Sequence, residues 1–388
     1  GDVYKRQGYA GQFGWKYGIA STWIGIGNAV IGSLMAWVVL GRRTKVMTQH
    51  LGSKTMPDFF GERYGSKALK IMASAIVFAF LVPYTASIYN GLSRLFEMAF
   101  HIPYAYCVAG MAVFTGIYVI LGGYMATAIN DFIQGIIMLI GIVAVIAAVL
   151  SGQGGFLEAI RKMAEIPSNL PVTMGQPGAF TSFFGPDPWN LLGVIILTSL
   201  GTWGLPQMIG KFYAIKDEKS INTGTVISTL FACVVAGGSY FLGGFGRLFD
   251  SSEIYDETGS VVFDSIVPHM LSSLPDLLIG IVVVLVLSAS MSTLASLVLT
   301  SSSTLTLDFL KDNVMKNMSE KKQIRWMQFL VVFFIGLSVW IALDPSTFIA
   351  QLMGISWGAL AGAFLAPFLY GLYLSLIHIS EPTRPLYI

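Results

Sequence analysis

The chain has 388 residues, of which 54% are hydrophobic and 11% charged, and a mean hydropathy of +0.69. A soluble domain carries about 25% charge, so the composition excludes a soluble enzyme or a nucleic-acid binder and indicates an all-α polytopic membrane protein in a lipid bilayer. The net charge of +2 identifies no partner, and the two cysteines, Cys107 and Cys233, both in apolar stretches, form no disulfide framework or metal spacing.

The histidines, His50, His101, His269 and His378, form no cluster. No HExxH, GxSxG, Walker A or strand-borne GxGxxG motif is present, so metal hydrolysis, acyl transfer and nucleotide chemistry have no residues to carry them. The ends differ in character from what they adjoin. Residues 1–7 (GDVYKRQ) and 374–388 are read as non-native, adapter-like ends and set aside. Residues 8–373 are the membrane domain, expected to be an internal fragment.

The first span is expected at 17–40, with Gly18, Gly25, Gly27 and Gly32 permitting close helix approach and Asn28 facing protein rather than lipid. The loop 41–70 carries seven Lys/Arg and reads as cytoplasmic. Within it, 55–64 is expected to be a short interfacial helix: Thr55 can cap it, Pro57 suits its first turn and Asp58 its positive end. The second span, 71–100, contains Pro83 and, near its outer end, Arg94 and Glu97 at a spacing that allows pairing.

The third span, 104–121, should end at Gly122-Gly123, and the fourth, 132–150, begins just after Asp131. A carboxylate there suits a helix N-terminus or an ion reached from the protein interior. A hydrophilic connection at 151–188, with an amphipathic piece at 157–166, lies outside.

The fifth span, 190–209, is interrupted by Gly201-Thr-Trp-Gly-Leu-Pro-Gln207. Gly and Pro should unwind the helix there, and open backbone groups at membrane depth are tolerated only where they line a cavity or ligand site. The sixth span covers 223–245. Its outer loop, 247–275, is acidic and includes His269, read as a surface residue.

The seventh span, 276–307, carries a polar residue at every fourth position: Ser288, Ser292, Ser296, Thr300, Thr304 and Asp308. Positions four apart drift by only about 40° around a helix of 3.6 residues per turn. The hydroxyls therefore form a slowly winding stripe, suited either to close helix packing or to a hard cation such as Na⁺. The eighth and ninth spans are 326–343 and 348–373. Loops assigned inside hold fifteen Lys/Arg and those outside hold three, Arg161, Lys162 and Arg247, as the positive-inside rule requires. Nine spans leave two inverted five-helix repeats one helix short, with the first core helix expected upstream of Gly8.

Four sets of residues resemble the sodium:solute symporter family: Thr55-Met-Pro-Asp-Phe-Phe with Arg63-Tyr64; Tyr118-Val-Ile-Leu-Gly-Gly-Tyr with Asp131 and Gln134; Gly204-Leu-Pro-Gln with Lys211-Phe-Tyr-Ala; and Ala289-Ser-Met-Ser-Thr-Leu-Ala-Ser with Ser301-Ser and Asp308. The likeness covers nearly all of 8–373 and is nearest to the sodium/proline symporter branch. It implies a leucine-transporter-like inverted-repeat fold of about nine transmembrane helices, the first core helix missing, and uptake of a small organic solute driven by Na⁺. By the resemblance, Na⁺ binds the Ala289 carbonyl and the hydroxyls of Ser292 and Thr293. Their spacing independently places these groups on one helix face. A second sodium site in some members matches Asp131, Ser292 and Ser296 here, and Ala295 departs from that pattern. Thr198, Thr202, Trp203, Pro206 and Gln207 are the candidate solute contacts. Pro206 matches the sodium/proline branch, whereas Thr198 and Thr202 stand where that branch has aromatics. The solute is expected to be proline, another amino acid or a carboxylate. Symporter-like modules also occur in membrane signalling proteins, so a sensor is the alternative.

Overall fold

A computed structural model describes residues 2–213, 215, 219–315, 317–344 and 349–374; the side chains of 2–9, 122–131, 219, 313 and 350 lie outside that description. Residues 375–388, which hold almost all of the C-terminal end set aside above, lie outside it too.

The described chain is helical throughout, apart from loops and one isolated β-bridge between Tyr255 and Val261. It begins with α1 (Asp2–Tyr17), a helix that runs across the boundary placed at residue 8. Gly18, at φ +64°, then turns the chain into a short 3₁₀ segment. The first expected span follows as α2 (Thr22–Gly27), which continues as two π-helical segments, Asn28–Met35 and Trp37–Gly41, and then as α3 (Arg42–Leu51). π-Helical turns within α-helices are frequent at functional sites, where a widened turn can leave a carbonyl for another partner.

The short helix expected at 55–64 is present as α4 (Met56–Tyr64). Thr55 Oγ1 accepts from Asp58 N at 3.1 Å, and Pro57 lies in the first turn, where its missing N–H leaves no bond unmade. Next come α5 (Lys67–Phe100), which contains Pro83, and α6 (Tyr104–Gly152). Backbone helix continues through Gly122-Gly123, where the sequence suggested a break. Even so, α6 supplies two spans. Tyr104 Oη donates to the Ala342 carbonyl at the end of one helix, while Leu150, near the far end, packs with Phe245 beside the outer loops. Both ends thus lie on one face, and the stretches at 104–121 and 132–152 run antiparallel.

The outer connection carries the amphipathic α7 (Phe156–Glu165). The broken span follows as α8 (Pro188–Gly201) and α9 (Pro206–Tyr213). Then come α10 (Lys219–Gly243), the outer helix α11 (Phe263–Ser272) and α12 (Asp276–Thr304), which continues as a π-helical segment at Leu305–Val314. The last helices are α13 (Glu320–Ala342) and α14 (Ile349–Tyr373). Eight of the described helical stretches are long and apolar enough to cross a membrane, and the bent pair α8–α9 makes a ninth.

Contacts at the two faces agree with the charge-based topology. At the inner face Lys45 donates to the Tyr213 carbonyl at 3.2 Å, Arg63 to the Gly371 carbonyl at 2.7 Å, and Lys70 pairs with Asp312 at 2.6 Å. The three basic loops therefore meet on one side. At the other side Arg247 donates to the Trp15 carbonyl at 2.6 Å and to Asn169 Oδ1 at 2.8 Å, with its guanidinium over the Phe180 ring. Burial lowers the Arg247 guanidinium to about 10, which still leaves it charged at neutral pH.

His269 is more than a surface residue: its ring nitrogens meet Glu253 and Ser251, each at 3.0 Å. Asp264 on α11 is buried and accepts from Ile349 N at 2.8 Å, capping α14 from another helix. Burial pushes this carboxyl above the usual carboxylate range, against the lowering influence of the Ile349 N–H and of Arg94.

The core lies where α5, α6, α12, α13 and α14 meet. With lipid outside, packing rather than hydrophobic transfer holds such helices together, and small residues let backbones touch. Gly14 of α1 lies against Gly243 of α10, where a Cβ would fall 2.0 Å from the Gly243 carbonyl oxygen.

Candidate functional site

The interruption expected at Gly201–Gln207 is present. Helix α8 tightens into one 3₁₀ turn at Thr202–Gly204, Leu205 is extended, and α9 restarts at Pro206 with its axis bent by 53°. Pro206 cannot donate a backbone bond, so it costs nothing as the first residue of a helix. Gly204 sits against α14, where a Cβ would lie 2.8 Å from Ala361 Cα.

A cavity of about 190 Å³ opens beside the break. Thr198, Thr202 and Trp203 line it, as expected, whereas Pro206 and Gln207 are buried in the first turn of α9 and are not among the lining residues. Gln207 has no hydrogen-bond partner for either amide atom among the described residues. The hydroxyls of Thr198 and Thr202 donate to carbonyls of their own helix, Val194 O and Ser199 O, each at 2.8 Å. Their protons are engaged, leaving oxygen lone pairs as acceptors at the wall.

The opposite wall is the π-helical part of the first span. Trp203 Nε1 donates to the Ile31 carbonyl at 3.0 Å, so a side chain from the break uses an oxygen of the π-helical segment. Asn28 lines the cavity and its Oδ1 accepts from Ser199 Oγ at 3.0 Å, so it faces protein as its place in an apolar span implied. Ser33 and Ser228 share a 2.7 Å hydrogen bond, and Trp37 Nε1 donates to Ser228 Oγ at 3.0 Å, which ties this wall to α10.

Tyr84 of α5 and Trp357 of α14 complete an aromatic lining, and Lys211 of α9, exposed, is the one cationic residue of the lining among the described residues. Sequence reasoning did not mark Ser33, Trp37, Tyr84, Lys211, Ser228 or Trp357 as contacts. Aromatic and hydroxyl residues are common in membrane helices, and only the assembled walls show which of them converge.

The candidate sodium residues lie on α12, away from this lining. Ala289 is fully buried, Thr293 Oγ1 donates to its carbonyl at 3.3 Å, and Ser292 and Ser296 are half-buried on the same helix. The side chain of Asp131, the other half of the second sodium site, lies outside the described residues. Along the stripe, exposure falls toward the inner end: Ser288, Ser292, Ser296 and Thr300 are half-buried, while Thr304 and Asp308 are buried.

The chain matches the model of the sodium:solute symporter family over residues 7–378. It belongs to the sodium:solute symporter family. Among curated relatives, the sodium/pantothenate symporter of Haemophilus influenzae is 28% identical over 92% of this chain and 72% of that protein. The sodium/proline symporter 2 of Staphylococcus saprophyticus is 30% identical, and the sodium/proline symporter of Staphylococcus aureus 31%, each over 92% of this chain and 68% of the relative.

The solved structure of a Na⁺-coupled sialic acid symporter, in a substrate-bound outward-open state, matches 95% of this chain and 79% of that one with a TM-score of 0.69. At 12% identity this likeness speaks to the fold alone. As a symporter of this family the protein is a multi-pass membrane transporter, not an enzyme. It couples Na⁺ to a small organic solute. The inverted-repeat architecture expected from the broken helix is the fold observed.

Proposed function

We propose that the cavity at the α8–α9 break holds a compact solute bearing a carboxylate and an apolar body, such as proline or another small amino or organic acid. We further propose that Na⁺ bound by the Ala289 carbonyl and the hydroxyls of Ser292 and Thr293 drives its uptake. The observation that carries the solute class is the lining itself: aromatic rings of Trp37, Trp203 and Trp357, with Lys211 as the cation among the described lining residues. Proline and pantothenate, the solutes in the relatives' names, both carry a carboxylate. Aromatic rings suit an apolar body, and an ammonium suits a carboxylate as a point charge.

Hydroxyl and carbonyl oxygens are hard ligands suited to a small hard cation. One Na⁺ moving inward down a membrane potential contributes roughly 2.3 kcal/mol per 100 mV. Coupling requires that Na⁺ and solute each favour the same conformational state, and α12 and α8–α9 both pack on α14 or its neighbour α5.

Competition in a Na⁺-driven uptake assay tests the solute class. Proline and pantothenate should compete and pyrrolidine, which lacks the carboxylate, should not. Lys211→Met should raise the KM for a carboxylate solute about tenfold, the effect of losing one charge-assisted contact, with Lys211→Arg much milder. Equal competition by pyrrolidine, or an unchanged KM in Lys211→Met, contradicts this solute class.

A further inference from the structure

At the inner face, Lys70, in the first turn of α5, reaches three carboxylates. Its Nζ lies 2.7 Å from Asp58 Oδ1 on α4, 2.6 Å from Asp312 Oδ2 and 3.8 Å from Asp308 Oδ1, the last two on the π-helical extension of α12. The Lys70 side chain is 12% exposed and that of Asp308 only 5%, so these charges are largely out of water. Thr55 Oγ1 donates to Asp308 Oδ2 at 2.5 Å while accepting from Asp58 N. One hydroxyl therefore caps α4 and clasps the sodium-site helix at the same time. Lys54 N donates to Asp58 Oδ2 at 2.9 Å, which fixes that carboxylate.

The other end of α4 holds a different helix. Arg63 donates to the carbonyls of Gly371 at 2.7 Å and Leu374 at 2.8 Å, and Tyr64 Oη to that of Pro367 at 2.6 Å, all on or just beyond α14. Helix α14 carries Trp357 into the solute cavity. A nine-residue helix thus joins the helix of the candidate sodium residues to a helix of the solute site. Next to the clasp, Ser301, Ser302, Thr304 and Thr306 are at most 2% exposed, while Ser303 is half-buried.

We propose that α4 with Lys70 is the inner latch of the transporter. Thr55 and Lys70 are positioning residues that hold the extension of α12 against the α4–α5 elbow while the cytoplasmic path is shut, and this contact must part for solute and Na⁺ to leave. Three carboxylates around one ammonium suit a joint that breaks. Once Lys70 withdraws, Asp58, Asp308 and Asp312 repel one another, and each regains water on opening. The coupling to Na⁺ rests on the sodium assignment to Ala289, Ser292 and Thr293. Sodium that holds α12 in its closed position keeps Asp308 within reach of Thr55, and its departure lets the extension swing.

The test uses the full protein with its native cysteines, Cys107 and Cys233 among them, replaced by Ser and Ser302→Cys as a buried reporter. A membrane-impermeant maleimide is applied to the cytoplasmic side of inside-out vesicles, with and without Na⁺. In the otherwise unchanged protein, labelling should be slow in Na⁺ and faster without it. In Lys70→Met, labelling in Na⁺ should rise about tenfold, the shift that follows the loss of about 1.4 kcal/mol of bias between two states, and should no longer respond to Na⁺. Lys70→Arg should restore both properties, which a role in general stability does not predict. Slow, Na⁺-sensitive labelling in Lys70→Met overturns the latch.

The sodium reading fails separately. If Ser292→Ala with Thr293→Ala keeps the Na⁺ response while Lys70→Met abolishes it, the latch stands and the sodium assignment falls. Should Lys70→Met not reach the membrane, Asp312→Asn, whose side chain is 45% exposed, carries the same expectation, and unchanged labelling there overturns the proposal.

Discussion

Ser292→Ala combined with Thr293→Ala should raise the Na⁺ concentration for half-maximal uptake by about a hundredfold. Each hydroxyl removed deprives a desolvated cation of a ligand worth about 1.5–3 kcal/mol, and two such losses reach that factor even if only partly additive. The substitution should leave the helix intact. Alanine is a better helix former than Ser or Thr, both positions are half-buried, and the one side-chain hydrogen bond involved among the described residues, Thr293 Oγ1 to Ala289 O at 3.3 Å, runs within α12. Expression and membrane insertion should therefore match wild type. The Na⁺ dependence of uptake, measured at fixed membrane potential, is the check. An unchanged half-saturation would place the ion elsewhere. Ser290→Ala, two residues before Ser292 and so about 200° around the helix from it, and fully buried with no partner for its hydroxyl among the described residues, serves as the control and should leave the Na⁺ dependence alone.

Gly204→Val should have the second-largest effect, through packing rather than ligation. A Cβ at residue 204 would meet Ala361 Cα at 2.8 Å and Leu365 N at 3.2 Å, both backbone atoms of α14 that cannot rotate away. Helix α14 would have to move off the break, and Trp357 and Met353 would move with it out of the solute cavity. Overpacking of this kind costs about 1–3 kcal/mol and often more when the obstacle is backbone. We expect solute uptake to fall at least about tenfold, the equivalent of ~1.4 kcal/mol, with a lowered thermal midpoint in detergent. Gly201→Ala, where a Cβ meets nothing within 4 Å, should be nearly silent in both measurements. Equal losses in the two variants would show that the break needs glycine for its backbone conformation and not for its approach to α14.

Much of this arrangement is legible in the residues because membrane constraints act locally. A run of apolar side chains must be helical to satisfy its own backbone, so the spans and the break at Gly201–Gln207 follow from the sequence. The cap at Thr55 and the basic inner loops also act through neighbours in the chain, and both appear where the spacing put them. Interactions between distant residues are less legible. Nothing in the sequence states that Asp308 would meet Thr55, 253 positions away. The polar period along α12 suggested a stripe but not that its inner end is clasped and buried. The π-helical winding of Asn28–Met35 gave no signal either, since its residues read as an ordinary apolar helix. Its consequence, a carbonyl at Ile31 that receives Trp203, depends on the packing of α8 against it. Backbone helix continues through Gly122-Gly123, whereas the sequence suggested that it ends there.

In the proposed function, inward Na⁺ movement drives a small carboxylate solute through this bundle. Uptake of radiolabelled proline and of pantothenate into proteoliposomes containing the full protein tests it most directly, with an inward Na⁺ gradient compared against an equal K⁺ gradient. At least one carboxylate solute should accumulate above its external concentration with Na⁺ alone, and this accumulation should collapse when a sodium ionophore dissipates the gradient. Accumulation that is the same with K⁺, or that survives the ionophore, would contradict it.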